Sequence, residues 1–187
     1  DPAGIGPEVI AKAVAGRALR NICYPIVIGS LPVMERTIKT LTLRLKAFRV
    51  DSHEPLPRRH DTIAVLDPLD RPLKRFKPGV AAAETGAAAV AFIKKAVALA
   101  QAGCIDGIVT APINKAVLTA SGFGFPGHTE FLAHLLSVTR PVMMLASRGV
   151  TPPLRVVPFT IHLALREVFA RLNPSEIAAT AEIVLSA

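Results

Sequence analysis

The sequence predicts an α/β fold, a mixed and largely parallel sheet flanked by helices, and three observations lead there. Short β-branched runs alternate along the chain with alanine-rich or amphipathic stretches, the pattern of strands joined through helices. The 187 residues are 51% hydrophobic and 19% charged, which supplies a core for both faces of a sheet and excludes a disordered chain. Turn-forming residues fall between the runs, as at Gly29-Ser30, Ala111-Pro112 and Asn173-Pro174-Ser175. A chain of this length buries about 70% of its unfolded surface, so it needs no disulfide or metal to fold.

The elements follow in order. Asp1 to Glu8 is a turn-rich loop that enters a helix at Gly6-Pro7, with Val9, Ile10, Ala13 and Val14 at helical spacing. Tyr24 to Ile28 reads as a strand, and Leu31 to Leu41 as a helix with Pro32 in its first turn. Leu43 to Val50 and Thr62 to Leu66 are further strands, separated by the polar segment Asp51 to Asp61; Asp67 to Gly79 is loop. Val80 to Ala102 is the longest helix, with Gly103 as its stop signal. Ile105 to Thr110 reads as a buried strand that turns through Ala111-Pro112 into a helix holding Asn114, Lys115, Val117 and Leu118. After the glycine-rich stretch Ser121 to His128, Thr129 is the expected cap of a helix through Phe131, Leu132, Leu135 and Leu136. Val142 to Ala146 and Leu154 to Ile161 are strands, and two helices follow, divided at Asn173-Pro174-Ser175. Residue 1 already stands in a loop of the kind that follows a strand, and the last helix meets no stop signal by residue 187. The chain is therefore expected to be truncated at both ends.

Composition narrows the function classes. Cys23 and Cys104 are too far apart for a CxxC motif and, with apolar neighbours, read as buried hydrophobes of a reduced compartment. No apolar run reaches the roughly 18 residues of a membrane span and no leader pattern is present, so a cytoplasmic protein without a membrane partner is expected. The net charge of +8 concentrates in Arg71, Lys74, Arg75 and Lys77, with Arg58 and Arg59 nearby. Such a cluster suits nucleic acid or a phosphorylated metabolite, or is a solvated surface. With 5% aromatic residues, no Trp and one Tyr, stacking platforms are scarce, which argues against nucleic acid.

Ligands of α/β sheets gather where strands end and helices begin, because helix N-termini present unpaired N–H groups. Asp1 to Glu8, Thr110 to Lys115 and Gly124 to Glu130 have that character. Gly4-Ile5-Gly6 lacks the third glycine and the acidic follow-on of a dinucleotide fingerprint, and turn geometry is the reading the residues favour. His128-Thr129-Glu130 admits two readings: a cap with a first-turn carboxylate, or an imidazole and a hydroxyl that hydrogen-bond an anionic or hydroxylated substrate. Lys115 is either a solvated first-turn lysine or an ammonium that meets an anion. His162, at the end of an apolar strand, is either an edge residue or a rigidly held imidazole for a divalent metal. His53 and His60 fall in a polar loop, and His134 on a helix surface. No nucleophile elbow, HExxH or P-loop is present, so hydrolase and NTPase chemistries find no support.

Four segments, Asp1-Pro2-Ala3-Gly4-Ile5-Gly6-Pro7-Glu8, Thr110-Ala111-Pro112-Ile113-Asn114-Lys115, Pro126-Gly127-His128-Thr129-Glu130-Phe131-Leu132 and Thr160-Ile161-His162-Leu163-Ala164-Leu165-Arg166-Glu167, together resemble the 4-hydroxythreonine-4-phosphate dehydrogenase family and its relatives acting on phosphorylated threonate or erythronate. The resemblance implies a fold similar to that of isocitrate and isopropylmalate dehydrogenases, with residues 1–187 as the N-terminal portion of a two-domain dehydrogenase. It implies NAD as cofactor, a divalent metal (zinc, magnesium or cobalt), a phosphorylated small-molecule substrate and a homodimer whose cleft forms the site. It further implies oxidation of a secondary alcohol, with loss of CO₂ to give 3-amino-2-oxopropyl phosphate in the biosynthetic member of pyridoxal phosphate formation. His128 and Thr129 correspond to the family's substrate-binding pair and His162 to the first of three metal-binding histidines; Lys115 is expected to bind substrate from its place at the helix entry. The family's usual Thr-Thr-His-Leu/Ile-Pro-Leu-Arg-Asp differs here at Ile161, Ala164 and Glu167, which leaves the substrate open. A noncatalytic protein that binds a phosphorylated metabolite on the same fold is the reading from another class.

Overall fold

The computed structural model describes residues 1–187 except 52–60, 74, 75, 123, 126, 148, 150, 162 and 187, and leaves the side chains of 17, 20, 119 and 120 undescribed. The chain divides into two compact units, Asp1–Ser137 and Val138–Ala187.

In the first unit a three-stranded parallel sheet is built from β1 (Ile26–Ile28), β2 (Lys46–Arg49) and β3 (Thr62–Leu66), in the order β1-β3-β2. Ala64 of β3 stands opposite Ile26 on one side and Phe48 on the other. Because successive strand residues face opposite ways, β3 divides its side chains between two layers. Ile63 and Val65 pack with Ala11, Val14, Met34 and Ile38 of α1 (Gly6–Ala15) and α3 (Leu31–Thr40). Ala64 and Leu66 pack with Val50 and with Leu99 of α4 (Ala83–Gln101). Helices cover both faces, as a parallel sheet requires. The α/β expectation holds, and β3 has the bounds read from the sequence.

Local chemistry explains most boundaries. Pro7 and Pro32 stand in the first turns of α1 and α3, where a missing N–H costs nothing. Asp67, just past β3, accepts the Leu31 N–H at 2.9 Å and the Leu69 N–H at 3.2 Å, so a carboxylate 36 residues away caps α3 while Ser30 makes no side-chain cap. Gly103 has φ +68° and closes α4, with the Gly103 N–H donated to Ala100 O and the Cys104 N–H to Leu99 O at 3.0 and 2.9 Å. Two shorter helices, α5 (Lys115–Ala120) and α6 (His128–Leu135), both lie against α4. An additional turn, α2 (Arg17–Arg20), follows α1.

Several expectations are corrected. Residues 105–110 form no strand: only Ile105 joins the core beside β1, and Val109 is 98% exposed. Among the described residues nothing pairs with this segment, and an apolar run without a hydrogen-bonding neighbour is not a strand. Thr129 does not cap α6. The helix begins one residue earlier, Gly127 accepts the Phe131 N–H, and Thr129 already lies inside the first turn. Cys23 and Cys104 are exposed, because each falls in the turn that ends a helix. Residues 52–60, which include His53, Arg58, Arg59 and His60, lie outside the described residues, as do Lys74 and Arg75.

In the second unit β4 (Leu145–Ala146) and β5 (Arg155–Val156) pair antiparallel over two residues each, far less than the strands read from the sequence. Pro152, Pro153 and Pro158 have no N–H to give to a ladder. Two helices follow, α7 (Leu165–Arg171) and α8 (Pro174–Ser186). Asn173 Oδ1 accepts the Ser175 and Glu176 N–H groups, and Arg140 donates to Glu176 O and Thr180 Oγ1. Neither helix has a buried residue among those described. Among the described residues no helix is long and apolar enough to cross a membrane.

Ile63 is 1% exposed at the centre of the sheet. Ile63→Ala is expected to cost about 2–5 kcal/mol in urea unfolding, the range for deleting a large aliphatic group from a core; a loss below 1 kcal/mol would contradict the two-layer packing.

Candidate functional site

Three of the segments that end in helix starts are brought together in the first unit. The loop before α1 folds on itself: Asp1 Oδ1 accepts the Ala3 N–H at 3.0 Å, and the Gly4 N–H reaches Asp1 O at 3.3 Å. Pro2 and Ala3 are buried, and the Gly79 N–H donates to Ala3 O at 2.7 Å from a residue with φ +79° that favours glycine. Gly6 faces the next segment closely, since a Cβ there would lie 3.2 Å from Ala111 Cβ and 3.7 Å from Pro112 O.

From Ala111-Pro112 the chain enters α5. Asn114 builds the entry, its Oδ1 accepting the Ala116 N–H at 2.9 Å and its carbonyl the Val117 N–H at 3.1 Å. Lys115 is the first helical residue and is exposed.

His128, the first residue of α6, is half-buried. Burial pushes its pKa below the usual 6.5, and the positive charge of the Asp1 amine pushes it further the same way. Burial also takes the Asp1 amine from 8.0 down to about 6. The Asp1 amine's effect on His128 puts the imidazole within electrostatic reach of the loop 1–6, which itself packs on Ala111-Pro112. The imidazole is held neutral near pH 7, able to donate from one nitrogen and accept at the other. Thr129 follows, exposed, in the same turn.

The other candidates fall elsewhere. His134 is exposed, as the sequence suggested, and stacks on Phe125 with centroids 4.8 Å apart. Of the basic cluster, Arg71 and Lys77 are exposed, while Phe76 between them lies under the Arg36 guanidinium at 4.9 Å. His162 lies outside the described residues, and among the described residues no group of three or more His, Cys, Asp or Glu side chains is placed to hold a metal. The sequence reading overlooked Gly79 and Asp67, both visible in principle: Pro78-Gly79 and Asp67-Pro68 are turn dipeptides next to a helix and a strand end.

Comparison with known proteins decides the family. The family model for the pyridoxal phosphate biosynthetic protein PdxA matches residues 21–187. The chain belongs to the PdxA family. Over 180 residues it is 40% identical to the 4-hydroxythreonine-4-phosphate dehydrogenase of Desulfosudis oleivorans, covering 96% of this chain and 52% of the relative. Over 182 residues it is 37% identical to the D-threonate 4-phosphate dehydrogenase of Cupriavidus necator, covering 97% and 53%. A crystal structure of a 4-hydroxythreonine-4-phosphate dehydrogenase from Burkholderia phymatum superposes with a TM-score of 0.87 at 38% identity, over 97% of this chain and 54% of that one. The chain thus spans about half the length of these PdxA-family relatives.

The depressed His128 pKa sets a pH dependence. The folded value lies below the unfolded 6.5, so this contribution to stability is complete above pH 6.5 and is lost as the pH falls through the folded value. Urea unfolding is expected to show a decline below pH 6.5 that is smaller in His128→Gln than in the parent. Equal declines would show that His128 is not desolvated in this corner.

Proposed function

We propose that this chain contributes the substrate-binding corner of an NAD-dependent dehydrogenase that oxidises a secondary alcohol in a phosphorylated hydroxy acid, 4-hydroxythreonine 4-phosphate. The observation that supports it most is the neutral His128 set beside the Asp1–Gly6 loop, with Ala111-Pro112 packed on that loop. A neutral imidazole next to the exposed Thr129 suits a polyhydroxy substrate, which needs donors and acceptors together.

In this reading His128 and Thr129 hydrogen-bond the hydroxyl and carboxylate end of the substrate. Lys115, at the first position of α5, meets a negative group, its charge adding to the potential of the helix start. His162 is a ligand of a divalent metal, zinc, magnesium or cobalt. The metal would supply a Lewis acid that polarises the reacting hydroxyl, and NAD would supply the hydride acceptor. His128 would orient the alcohol for that transfer, the hydroxyl proton being released to solvent as the hydride leaves. The β-keto acid formed from 4-hydroxythreonine 4-phosphate then loses CO₂ to give 3-amino-2-oxopropyl phosphate. Residues 1–187 are taken as the N-terminal portion of a two-domain dehydrogenase of the isocitrate and isopropylmalate type that works as a homodimer. D-threonate 4-phosphate is the alternative substrate: relatives named for each substrate match at 40% and 37% identity, and Ile161, Ala164 and Glu167 depart from the biosynthetic pattern.

Isothermal titration with 4-hydroxythreonine 4-phosphate is expected to show binding that His128→Ala weakens about tenfold, the worth of a hydrogen bond to a charged partner. In parallel, His162→Ala is expected to lower the zinc retained per chain while the circular dichroism spectrum is unchanged. Undiminished ligand affinity in the first variant would remove His128 from the site, and undiminished zinc in the second would remove His162.

A further inference from the structure

Helix α4 is rich in alanine and holds one glycine, Gly86. Inside a helix glycine is less favourable than alanine, so packing has to account for it. Gly86 is buried, and a Cβ there would overlap the carbonyl oxygen of Val117 and stand 2.9 Å from Ser121 Cβ and 3.0 Å from Ser121 Oγ. These belong to α5 and the residue that follows it, so α5 is seated with backbone directly on backbone. Thr85 beside it is fully buried and donates its hydroxyl to Ala82 O at 2.9 Å, while Val117 and Leu118 are 1% and 2% exposed. The seat is tight, and its nearest atom is a backbone carbonyl oxygen that cannot turn aside as the Ser121 hydroxyl could.

Helix α6 rests on the same α4 by a separate contact. The height of α5 on α4 therefore sets where Lys115 stands relative to His128 without moving His128. We propose that Gly86 is a positioning residue for Lys115: by letting the Val117 carbonyl settle on α4, it fixes the first turn of α5 at the height from which the ammonium meets the anionic group of the substrate. The inference rests on the reading of Lys115 as an anion-binding residue. Its effect is transmitted through α5 alone.

The test is a pair of double-mutant cycles read by isothermal titration of the chain with 4-hydroxythreonine 4-phosphate. A hydrogen bond to a charged group is worth roughly tenfold or more in affinity. Gly86→Ala is expected to weaken binding about tenfold or more in the parent, to add nothing further in Lys115→Ala, and to add in full to His128→Ala. A role in stability alone would lower the melting temperature and leave affinity unchanged, or would weaken affinity equally in every background; either result overturns the proposal. Should Gly86→Ala fail to fold, Ser121→Val presses the same contact from the α5 side and is expected to follow the same pattern. If Lys115→Ala itself leaves affinity unchanged, the anion-binding reading of Lys115 fails and the proposal with it. If Lys115→Ala weakens binding and Gly86→Ala does not, the positioning role alone fails.

Discussion

The first unit depends on one constraint: β3 is buried on both faces. A parallel strand in the middle of a sheet must be covered on each side, and β3 meets this by giving Ile63 and Val65 to α1 and α3 and Ala64 and Leu66 to the α4 side. With α4 committed to that face, it becomes the platform on which α5 and α6 lie. The corner that brings Asp1–Gly6 to Ala111-Pro112 and His128 is thus a consequence of how the sheet is covered. Its parts come from segments more than a hundred residues apart.

Electrostatics then shapes what the corner can do. Burial disfavours charge on both the Asp1 amine and His128, and the positive amine lowers the His128 pKa further, so the imidazole is neutral near pH 7. Lys115 stays exposed at the first turn of α5. In the proposed function this neutral donor-acceptor and this cation, on two helix starts, take the hydroxyl and phosphate ends of one ligand.

Much of this was legible in the sequence, for identifiable reasons. β3 and α3 were readable because β-branched runs and helical spacing are local signals, and Gly103 because a positive φ needs glycine. The family was readable from four motifs jointly, while neither Gly4-Ile5-Gly6 nor Gly127-His128-Thr129 taken singly distinguished a turn from a binding loop. Partner-dependent features were hidden. Whether Ile105 to Thr110 is a strand depends on a neighbour, the capping of α3 by Asp67 depends on a residue 36 positions away, and the exposure of Cys23 and Cys104 depends on which turn each occupies. The prolines at 152, 153 and 158 were visible and should have shortened the strands read around them. The role of Gly86 was invisible for the same reason as that of Asp67: its meaning lies in the helix packed against it.

Residues 1–6, 111–115 and 127–129 are proposed as one ligand-binding corner. Its most direct test is a titration of the isotopically labelled chain with 4-hydroxythreonine 4-phosphate, following backbone amide chemical shifts residue by residue. The account predicts that the amides of Gly4, Gly6, Lys115, His128 and Thr129 shift together along a single binding curve while those of β1 and β2 stay in place. Shifts confined to the basic segment around Arg71 and Lys77, or separate curves for the three segments, would contradict it.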